Sequence, residues 1–393
     1  MDAKRKICVV TGTRAEYGIL RSLLDALRAR DDLEYGLLVT GMHLSPEFGS
    51  TIHEIMKDPH PIWARVDMLL SSDTPGAQAK GLGLGIHGMA QTFESLQPDI
   101  VVVLGDRDEP LAAVMAAAHM NICVAHLHGG EVSGTIDESI RHAITKFSHL
   151  HFPATGRSAD FIERLGERKD AIYLVGSCGV DNVKSRKLPG KKAWAEQYDF
   201  DTSQPILLAI QHPVTTEYED AADNMETFMG ALRELRLQTL FIRANADAGN
   251  AAMMTTARKI LDQFQAQPFV RAYPNIPSED YMATLKYADA MIGNSSSGLI
   301  EAPVFGLPYV LVGTRQDGRE CGPSVLHVPN DKKKILDALD TALHDEAFKR
   351  RAQRGPHPYD PFNDANAGTR IAEILATVPI DGDLIQKQIT YVQ

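Results

Sequence analysis

The chain has 393 residues, of which 44% are hydrophobic and 23% are charged, so it is long enough to bury a large core and to form two domains. Its formal net charge of −11 argues against nucleic acid as a partner, because a phosphate backbone is held by a broad basic surface. A small anionic ligand is compatible with this charge, since a few arginines can dominate the field inside a cleft. Composition therefore favours a soluble globular protein.

The first residues are basic, but the apolar run after them is broken by Thr11, Arg14 and Glu16, which is not the pattern of a signal peptide. No run approaches the roughly 18 apolar residues that a membrane-spanning helix needs. The four cysteines lie far apart and form no CxxC pair, so the sequence indicates neither zinc nor a disulfide framework. We expect a cytoplasmic protein with no membrane partner.

Short β-branched runs with little alternation occur along the first half of the chain and are separated by helical stretches. Such runs are typical of strands buried on both faces of a parallel sheet. The predicted strands of this half cover residues 6–11, 35–40, 100–104, 122–125 and 171–175.

The clearest helix of this half is predicted from Asp137 to Ser148. Its apolar stripe would consist of Ile140, Ala143, Ile144 and Phe147. Four polar residues would face elsewhere, namely Asp137, Glu138, Arg141 and His142. Capping-box spacing of Thr13 with Glu16, and of Thr135 with Glu138, predicts the starts of the first helix and of this one.

A segment rich in Lys, Pro and Gly around residues 184–204 indicates an interdomain connection. The strand and helix pattern then begins again, with predicted strands at 205–210, 239–242 and 308–312. We therefore predict an α/β protein of two doubly wound domains, 1–185 and 190–393. In open α/β sheets ligands collect beyond the carboxyl ends of the strands, so a cleft between the domains is the expected binding site.

A Ser-rich segment from Gly293 to Glu301 follows the apolar run 287–292, where a strand should end and a helix should begin. Small residues there let backbone N–H groups and hydroxyls face an anion, and a helix N-terminus adds partial positive charge. Glu301, about two turns inside that helix, could accept hydrogen bonds from a ribose. The segment predicts a nucleotide diphosphate site; the alternative is a Ser-rich cap that merely ends a loop.

Other polar residues follow the remaining predicted strands, but no GxGxxG or GxxxxGK[ST] motif accompanies them. Asp106 could act in catalysis, or it could simply pair with Arg107 or cap the next helix. His126 and His128 would point the same way from one strand and, with Glu131, could bind a metal. We expect no metal, because no further ligand spacing accompanies them. A second pair of histidines, at 149 and 151, has the same spacing in a further predicted strand and is interpreted as structural.

In this order, the motifs resemble those of the hydrolysing UDP-N-acetylglucosamine 2-epimerases, which make N-acetylmannosamine for sialic acid synthesis, and of relatives that act on other nucleotide-linked sugars. The resembling segments are 11–17, 105–107, 128–146, 294–301 and 313–320. The resemblance implies a glycosyltransferase-B-like fold, in which two Rossmann-type domains close on the sugar nucleotide. We also expect a homo-oligomer, either a dimer or a tetramer, and no cofactor.

The resemblance also implies roles for individual residues. UDP would be held by His212, Ser295, Ser296, Glu301 and Arg315, with Arg14 reaching from the first domain. The acidic residues near the sugar would be Asp106, Glu131 and Asp137, and His212 would lie near the diphosphate as a fourth catalytic group. Further substrate contacts are expected from Arg107, His128, His142, Arg243, Ser297 and Arg319. Family members often have Glu where His128 stands, so the identity of the general base stays open.

The expected reaction converts UDP-N-acetylglucosamine and water to N-acetylmannosamine and UDP by elimination and hydration through a glycal. Asp106 and Asp137 are predicted to transfer protons, with Glu131 as a positioning or secondary acid/base group. The same chemistry on GDP-N-acetylglucosamine, or on a UDP- or GDP-linked 2,4-diacetamido-trideoxy sugar, is an alternative. A non-hydrolysing epimerase, an inverting glycosyltransferase and a non-catalytic sensor are the remaining rivals.

Overall fold

The computed structural model describes residues 4–72, 74–132, 136–243, 250–263, 269–274 and 276–390. These residues form two compact units. The first contains residues 4–131, 136–182 and 359–390, and the second contains residue 132 and residues 183–358. Within the described ranges, no helix has both the length and the apolar character that crossing a membrane requires.

The first unit is built on a parallel six-stranded sheet. Its strands are β1 (Arg5–Thr11), β2 (Leu33–Thr40), β3 (Ile62–Val66), β4 (Ile100–Leu104), β5 (Cys123–Leu127) and β6 (Leu150–Phe152). Their order across the sheet is β3-β2-β1-β4-β5-β6. Successive strands are therefore added on one side of β1 as far as β3 and on its other side from β4 onward. The central strand β4, Ile-Val-Val-Val-Leu, is buried along its whole length because helices cover both faces.

The helices that lie between and after these strands are α1 (Arg14–Arg28), α2 (Ile52–Ile55), α3 (Pro75–Leu96), α4 (Asp108–His119), α5 (Ile136–Phe147), α6 (Gly156–Arg164) and α7 (Cys178–Ser185). The predicted capping box that starts α1 is confirmed: Thr13 accepts from the Glu16 backbone N–H, and the Glu16 carboxylate accepts from that of Thr13. The corresponding Thr135 before α5 lies outside the described residues.

The second unit has its own parallel six-stranded sheet. Its strands are β7 (Ile206–Ile210), β8 (Gln238–Ile242), β9 (Val270–Tyr273), β10 (Ala290–Gly293), β11 (Tyr309–Val312) and β12 (Val325–Val328), in the order β12-β11-β10-β7-β8-β9. Its helices are α8 (Lys191–Gln197), α9 (Ala221–Leu235), α10 (Asn250–Asp262), α11 (Ser278–Tyr287), α12 (Ser297–Ile300), α13 (Lys332–His344) and α14 (Glu346–Arg354). Two parallel sheets with flanking helices confirm the predicted α/β fold class.

The last two helices, α15 (Ala367–Thr377) and α16 (Gly382–Ile385), belong to the first unit. The predicted limits 1–185 and 190–393 differ from the structure here, because the chain returns to the first unit at Tyr359. There α15 packs on α1, and the backbone N–H of Gly368 donates to Asp181 over 2.7 Å. The spacing of apolar residues along a helix predicts that one face is buried, but it does not show which of the two units that face packs against.

One predicted strand is wrong, and three edge strands were not predicted. Residues 171–175 form no strand of the sheet: Lys169–Ala171 is a 3-10 turn, and Ile172 makes only an isolated bridge to His151. The sheet ends instead at the short strand β6. The missed strands, β3, β9 and β12, lie at sheet edges and are only partly buried, which weakens the continuous apolar pattern on which prediction depends.

Candidate active site

A partly buried ion pair lies at the carboxyl edge of the first sheet. Asp106 lies two residues after the end of β4 and pairs with the guanidinium of Arg141 on α5. Arg141 also donates to the main-chain oxygen of Glu131 over 2.8 Å, and its side chain is only 2% exposed. The prediction that Arg141 faces away from the core is therefore wrong. A guanidinium can be buried here because its two terminal nitrogens donate to a carbonyl and to a carboxylate.

Glu131 and His128 form a second pair beside it. His128 Nδ1 lies 3.0 Å from Glu131 Oε1, and both side chains are buried. His128 comes after the end of β5 and has a φ of +59°, which is uncommon for a residue other than Gly. Because His128 lies outside the strand, the prediction that it points the same way as His126 is wrong.

His126, by contrast, is fully buried within β5. One ring nitrogen lies 2.8 Å from the carbonyl oxygen of Gly105 and the other lies 3.2 Å from the hydroxyl of Thr145 on α5. Burial lowers the pKa of His126 to about 3, so the ring is neutral. Its two nitrogens are thus engaged in linking β5 to α5 and to the loop of Asp106. Within the described ranges, no cluster of three or more potential metal ligands occurs.

The first two turns of α5 carry two more of the predicted site residues, Asp137 and His142. Asp137 is half-buried on the first turn, and His142 Nε2 lies 3.2 Å from Glu138 Oε1 one turn apart. One helix therefore presents Asp137, Arg141 and His142 along about two turns. The arrangement brings Asp106, Glu131 and α5 together, whereas the exposed Arg107 lies with its Nε 3.8 Å from Glu109.

A pair of buried carboxyl groups near the end of β1 was missed by sequence reasoning. Glu16 and Glu109 are both buried, and the pKa of Glu16 is raised to about 7 by burial and by the charge of Glu109. Gly12 is required above them, since a Cβ there would lie 2.6 Å from the Glu109 side chain. The nearby Arg14 pairs with Glu54 over 3.1 Å.

In the second unit, Asn294 ties together two loops at the carboxyl edge of the sheet. Its side-chain oxygen accepts from the backbone N–H of His212 over 2.7 Å, and its amide donates to the His212 carbonyl over 2.8 Å. Gln316 donates to the Asn294 carbonyl over 2.9 Å, and Arg315 lies 3.5 Å from the same oxygen. The loops after β7, β10 and β11 are thereby held in one place.

The Ser-rich segment is a tight turn and not the start of a long helix. The one-turn helix α12 ends at Ile300, because Pro303 just beyond has no N–H with which to continue the ladder. The prediction that Glu301 lies two turns inside a helix is therefore wrong; it follows α12 directly and is buried. Anion binding here would depend on local N–H and hydroxyl groups and little on a helix dipole.

Two tyrosines fix the shape of this turn, and neither was predicted from the sequence. Tyr281 bonds to the hydroxyl of Ser297, which lies 3.1 Å from that of Ser295. The hydroxyl of Tyr309 lies 2.9 Å from the carbonyl oxygen of Gly293 and 3.0 Å from that of Ser295, so its single proton is shared between them. The turn is therefore rigid in its backbone. Ser296 makes no capping hydrogen bond with its side chain.

The basic groups around this turn differ in exposure. His212 is buried, and burial together with the charge of Arg315 lowers its pKa to about 3, so the ring is neutral. Arg315 and Arg319 are half-buried, while Arg243 is exposed just after β8. The structure thus brings His212, Arg315 and the three serines together at one sheet edge, and Arg243 lies at the end of a neighbouring strand.

Comparison with known proteins identifies the family of this chain. The model of the family described as UDP-N-acetylglucosamine 2-epimerase matches residues 25–376. The chain is 36% identical over 383 residues to the UDP-N,N'-diacetylbacillosamine 2-epimerase (hydrolyzing) of Legionella pneumophila, covering 98% of each chain. It is 33% identical over 375 residues to the UDP-N-acetylglucosamine 2-epimerase of Neisseria meningitidis serogroup B, covering 95% of each.

Solved structures agree in fold. The UDP-GlcNAc 2-epimerase from Neisseria meningitidis bound to UDP-GlcNAc superposes with a TM-score of 0.79 at 17% identity, covering 94% of this chain and 99% of that one. This likeness confirms the two-domain α/β fold that the motifs imply. With the family model matching most of its length and two relatives above 30% identity over nearly all of it, the chain belongs to the UDP-N-acetylglucosamine 2-epimerase family.

Proposed function

We propose that the chain hydrolyses a UDP-linked 2-acetamido sugar with inversion at sugar carbon 2, releasing UDP and the free epimer. The observation that carries this proposal is the cluster of Asp106, Arg141 and Glu131 at one sheet edge, with Asp137 on the same helix as Arg141. Acid/base groups on separate elements are what a reaction with proton transfers on two sides of a ring requires.

The reaction has to solve one chemical problem. The hydrogen on carbon 2 is not acidified by a carbonyl group, so direct removal is too slow. Departure of UDP from carbon 1 creates an oxocarbenium-like centre, which acidifies the neighbouring C–H. A carboxylate then takes that proton to give a glycal, and addition of water and of a proton from the opposite face gives the epimer. Asp106 and Asp137 are the proposed proton-transfer groups.

The second unit supplies the groups for the leaving diphosphate. Arg315, the neutral ring of His212 and the turn of Ser295 to Ser297 offer cationic and neutral donors at one sheet edge. Donors fixed before the reaction stabilise charge that develops on a leaving group without further rearrangement. Asn294, Tyr281 and Tyr309 fix these donors in turn, which is how we account for their buried hydrogen bonds.

The identity of the sugar has two candidates. The Legionella relative is named for UDP-N,N'-diacetylbacillosamine and the Neisseria relative for UDP-N-acetylglucosamine, and the two are similarly close to this chain. A panel of both sugars on UDP and GDP, with identification of the released sugar by mass and NMR, distinguishes them. Stoichiometric free UDP with an inverted free sugar supports the proposal, whereas an epimer still bound to UDP would indicate a non-hydrolysing enzyme.

Solvent labelling tests the route. Turnover in deuterium oxide is expected to place one deuterium on carbon 2 of the product, because the proton removed in the elimination is replaced from solvent. Oxygen-labelled water should label the anomeric hydroxyl and not UDP, when read before mutarotation exchanges it. Product without deuterium at carbon 2 would contradict the elimination route, and would be expected of a glycosyltransferase or a simple hydrolase.

The nucleotide site makes a separate prediction. Arg315→Ala should weaken UDP binding by about ten- to a hundredfold, because a charge-assisted phosphate contact contributes on the order of 1.5–3 kcal/mol. Ser296→Ala tests the turn in the same way. The exposed Arg350 on α14 supplies a matched control, since Arg350→Ala should leave the affinity unchanged. Calorimetry with UDP measures all three, and unchanged affinity in both site variants would place the phosphates elsewhere.

A further inference from the structure

The C-terminal segment of the first unit passes the end of α5 and binds it tightly. We call residues 386–390 the C-terminal strap. The ammonium of Lys387 in this strap donates to the carbonyl oxygens of Thr145, Lys146 and Ser148 over 3.0, 2.8 and 2.6 Å. Thr145 and Lys146 belong to the last turn of α5 and Ser148 follows its end, where backbone carbonyls run out of helical partners and carry the partial negative charge of the helix. The Thr145 carbonyl also accepts from the backbone N–H of Ser148 over 3.2 Å. A cation at this position is a C-terminal cap from a distant part of the chain.

A buried carboxylate completes the cap. Glu167, 1% exposed, lies 2.5 Å from the Lys387 ammonium through one oxygen and 2.6 Å from that of Lys146 through the other. His151 on β6 lies 3.2 Å from Glu167 as well. Thr390 of the strap donates its backbone N–H to Gly166 and its hydroxyl to the Glu167 carbonyl, over 2.8 and 3.1 Å. The strap is therefore anchored at two points three residues apart, Lys387 and Thr390.

The helix that Lys387 caps is the helix that organises the proposed proton-transfer site. One turn before the capped carbonyls, Arg141 holds Asp106 and the backbone of Glu131. Thr145 itself joins α5 to His126, which contacts the carbonyl of Gly105, the residue before Asp106. A helix moves as a rigid rod over this length, so a shift at its end would displace Arg141.

We propose that Lys387 is a positioning residue for catalysis: by capping α5 it holds Arg141 and Asp137 at the height along the helix axis that Asp106 requires. This inference rests on the proposed function, since it assigns Lys387 a role in that same proton-transfer site. Its direct structural consequence, order in the last turn of α5, does not depend on any substrate.

The cap is sensitive to pH. Burial lowers the pKa of Lys387 to about 8, while Glu167 opposes that shift. The other titratable groups that face this site are Lys146 and three histidines, His126, His149 and His151. Burial lowers the pKa of each of the three histidines. As pH rises through about 8, Lys387 loses the charge that pairs with Glu167 and with the helix end. We therefore expect kcat to fall above that pH.

Global stability is expected to change in the opposite direction. The pKa of Lys387 is lower in the folded chain than its ordinary value of 10.5, so the unfolded chain binds more protons between about pH 8 and 10.5. The contribution of this group to the free energy of unfolding therefore rises with pH over that window. A loss of kcat there cannot be explained by Lys387 acting through overall stability, which separates positioning from a merely structural role.

The experiment compares Lys387→Met, Glu167→Gln and the control Lys169→Met, an exposed lysine of the same unit. We expect Lys387→Met to lower kcat at neutral pH by at least about tenfold, with KM and UDP affinity within about threefold of wild type. We call the decrease of kcat above about pH 8, which we expect of the wild-type protein, the falling limb of its pH profile. The pH profile of Lys387→Met should have no such limb. Glu167→Gln should move that limb to lower pH, because the carboxylate that favours the ammonium is gone. Lys169→Met should behave as wild type.

Hydrogen exchange on the substrate-free protein tests the cap itself. Faster exchange of the amides at the end of α5 in Lys387→Met supports it, and wild-type exchange there would overturn it. Wild-type kcat with an unchanged limb in Lys387→Met would overturn the positioning role. If Lys387→Met does not fold, the positioning role would be overturned by a Glu167→Gln variant whose kcat falls at the same pH as that of the wild type. Failure of the wild-type protein to turn over any sugar nucleotide would instead contradict the proposed function, and hydrogen exchange would then judge the cap alone.

Discussion

Asp106→Asn and Asp137→Asn are each expected to lower kcat by about 10²–10⁴-fold, the range typical of a lost general acid or base. Asn keeps the size and shape of the side chain but cannot take or give the proton on carbon 2. The affinity for UDP should stay nearly unchanged, because the proposed UDP-binding residues belong to the second unit. Steady-state kinetics and UDP calorimetry on the same preparations measure both quantities.

The two variants should differ in what they release. A variant impaired only after formation of the glycal is expected to release free glycal together with UDP, and mass spectrometry detects it. Asp160→Asn, at an exposed position on α6, is the matched control and should keep wild-type kcat. Near-normal turnover in both site variants would remove these residues from the mechanism while leaving the elimination route intact, and Glu131 with His128 would be tested next.

The fold could be predicted where burial on both faces leaves a continuous apolar run. Residues 100–104 are the clearest case, since the predicted strand and β4 coincide. The prediction failed at 171–175, an apolar run with two β-branched residues, Ile172 and Val175, which pairs with its neighbour through an isolated bridge and forms no strand. The residues of a short segment favour an extended backbone, but the tertiary structure determines whether a partner strand lies beside it.

The sequence allowed us to predict at which strand ends the candidate residues lie, but not which groups hold them in place. Polar residues at strand ends correctly mark the edges where Asp106, Glu131, His212 and Arg315 lie, because parallel strands bring their carboxyl ends to one edge. The groups that hold them are chemically ordinary in the sequence. In the sequence, Arg141 is one of several polar residues on an amphipathic helix, and nothing distinguishes it. Lys387 lies more than 200 residues along the chain from the helix that it caps. Only the folded chain shows that both cations meet buried acceptors.

The removal of Arg141 is expected to have the largest effect on stability. Arg141→Met keeps much of the volume but leaves the Asp106 carboxylate and the Glu131 carbonyl without their shared donor. Breaking a buried pair by removing one partner costs about 3–5 kcal/mol. Asp106 keeps 20% of its side-chain surface exposed, so partial hydration should bring the cost toward about 3 kcal/mol. Denaturant unfolding of the full chain, monitored by hydrogen exchange of the amides in β4 and α5, measures this loss in the free energy of unfolding.

A double-mutant cycle separates the pair from the packing of the side chain. If the loss arises from an unpaired carboxylate, Arg141→Met combined with Asp106→Asn should be less destabilising than the sum of the two single variants, by at least about 1 kcal/mol. Additive losses would instead assign the effect to packing of the guanidinium stem. Arg141→Lys should recover only part of the stability, because an ammonium keeps the charge but lacks the fork that reaches Asp106 and Glu131 together. Full recovery in that variant would contradict the two-acceptor geometry on which the proposed site depends.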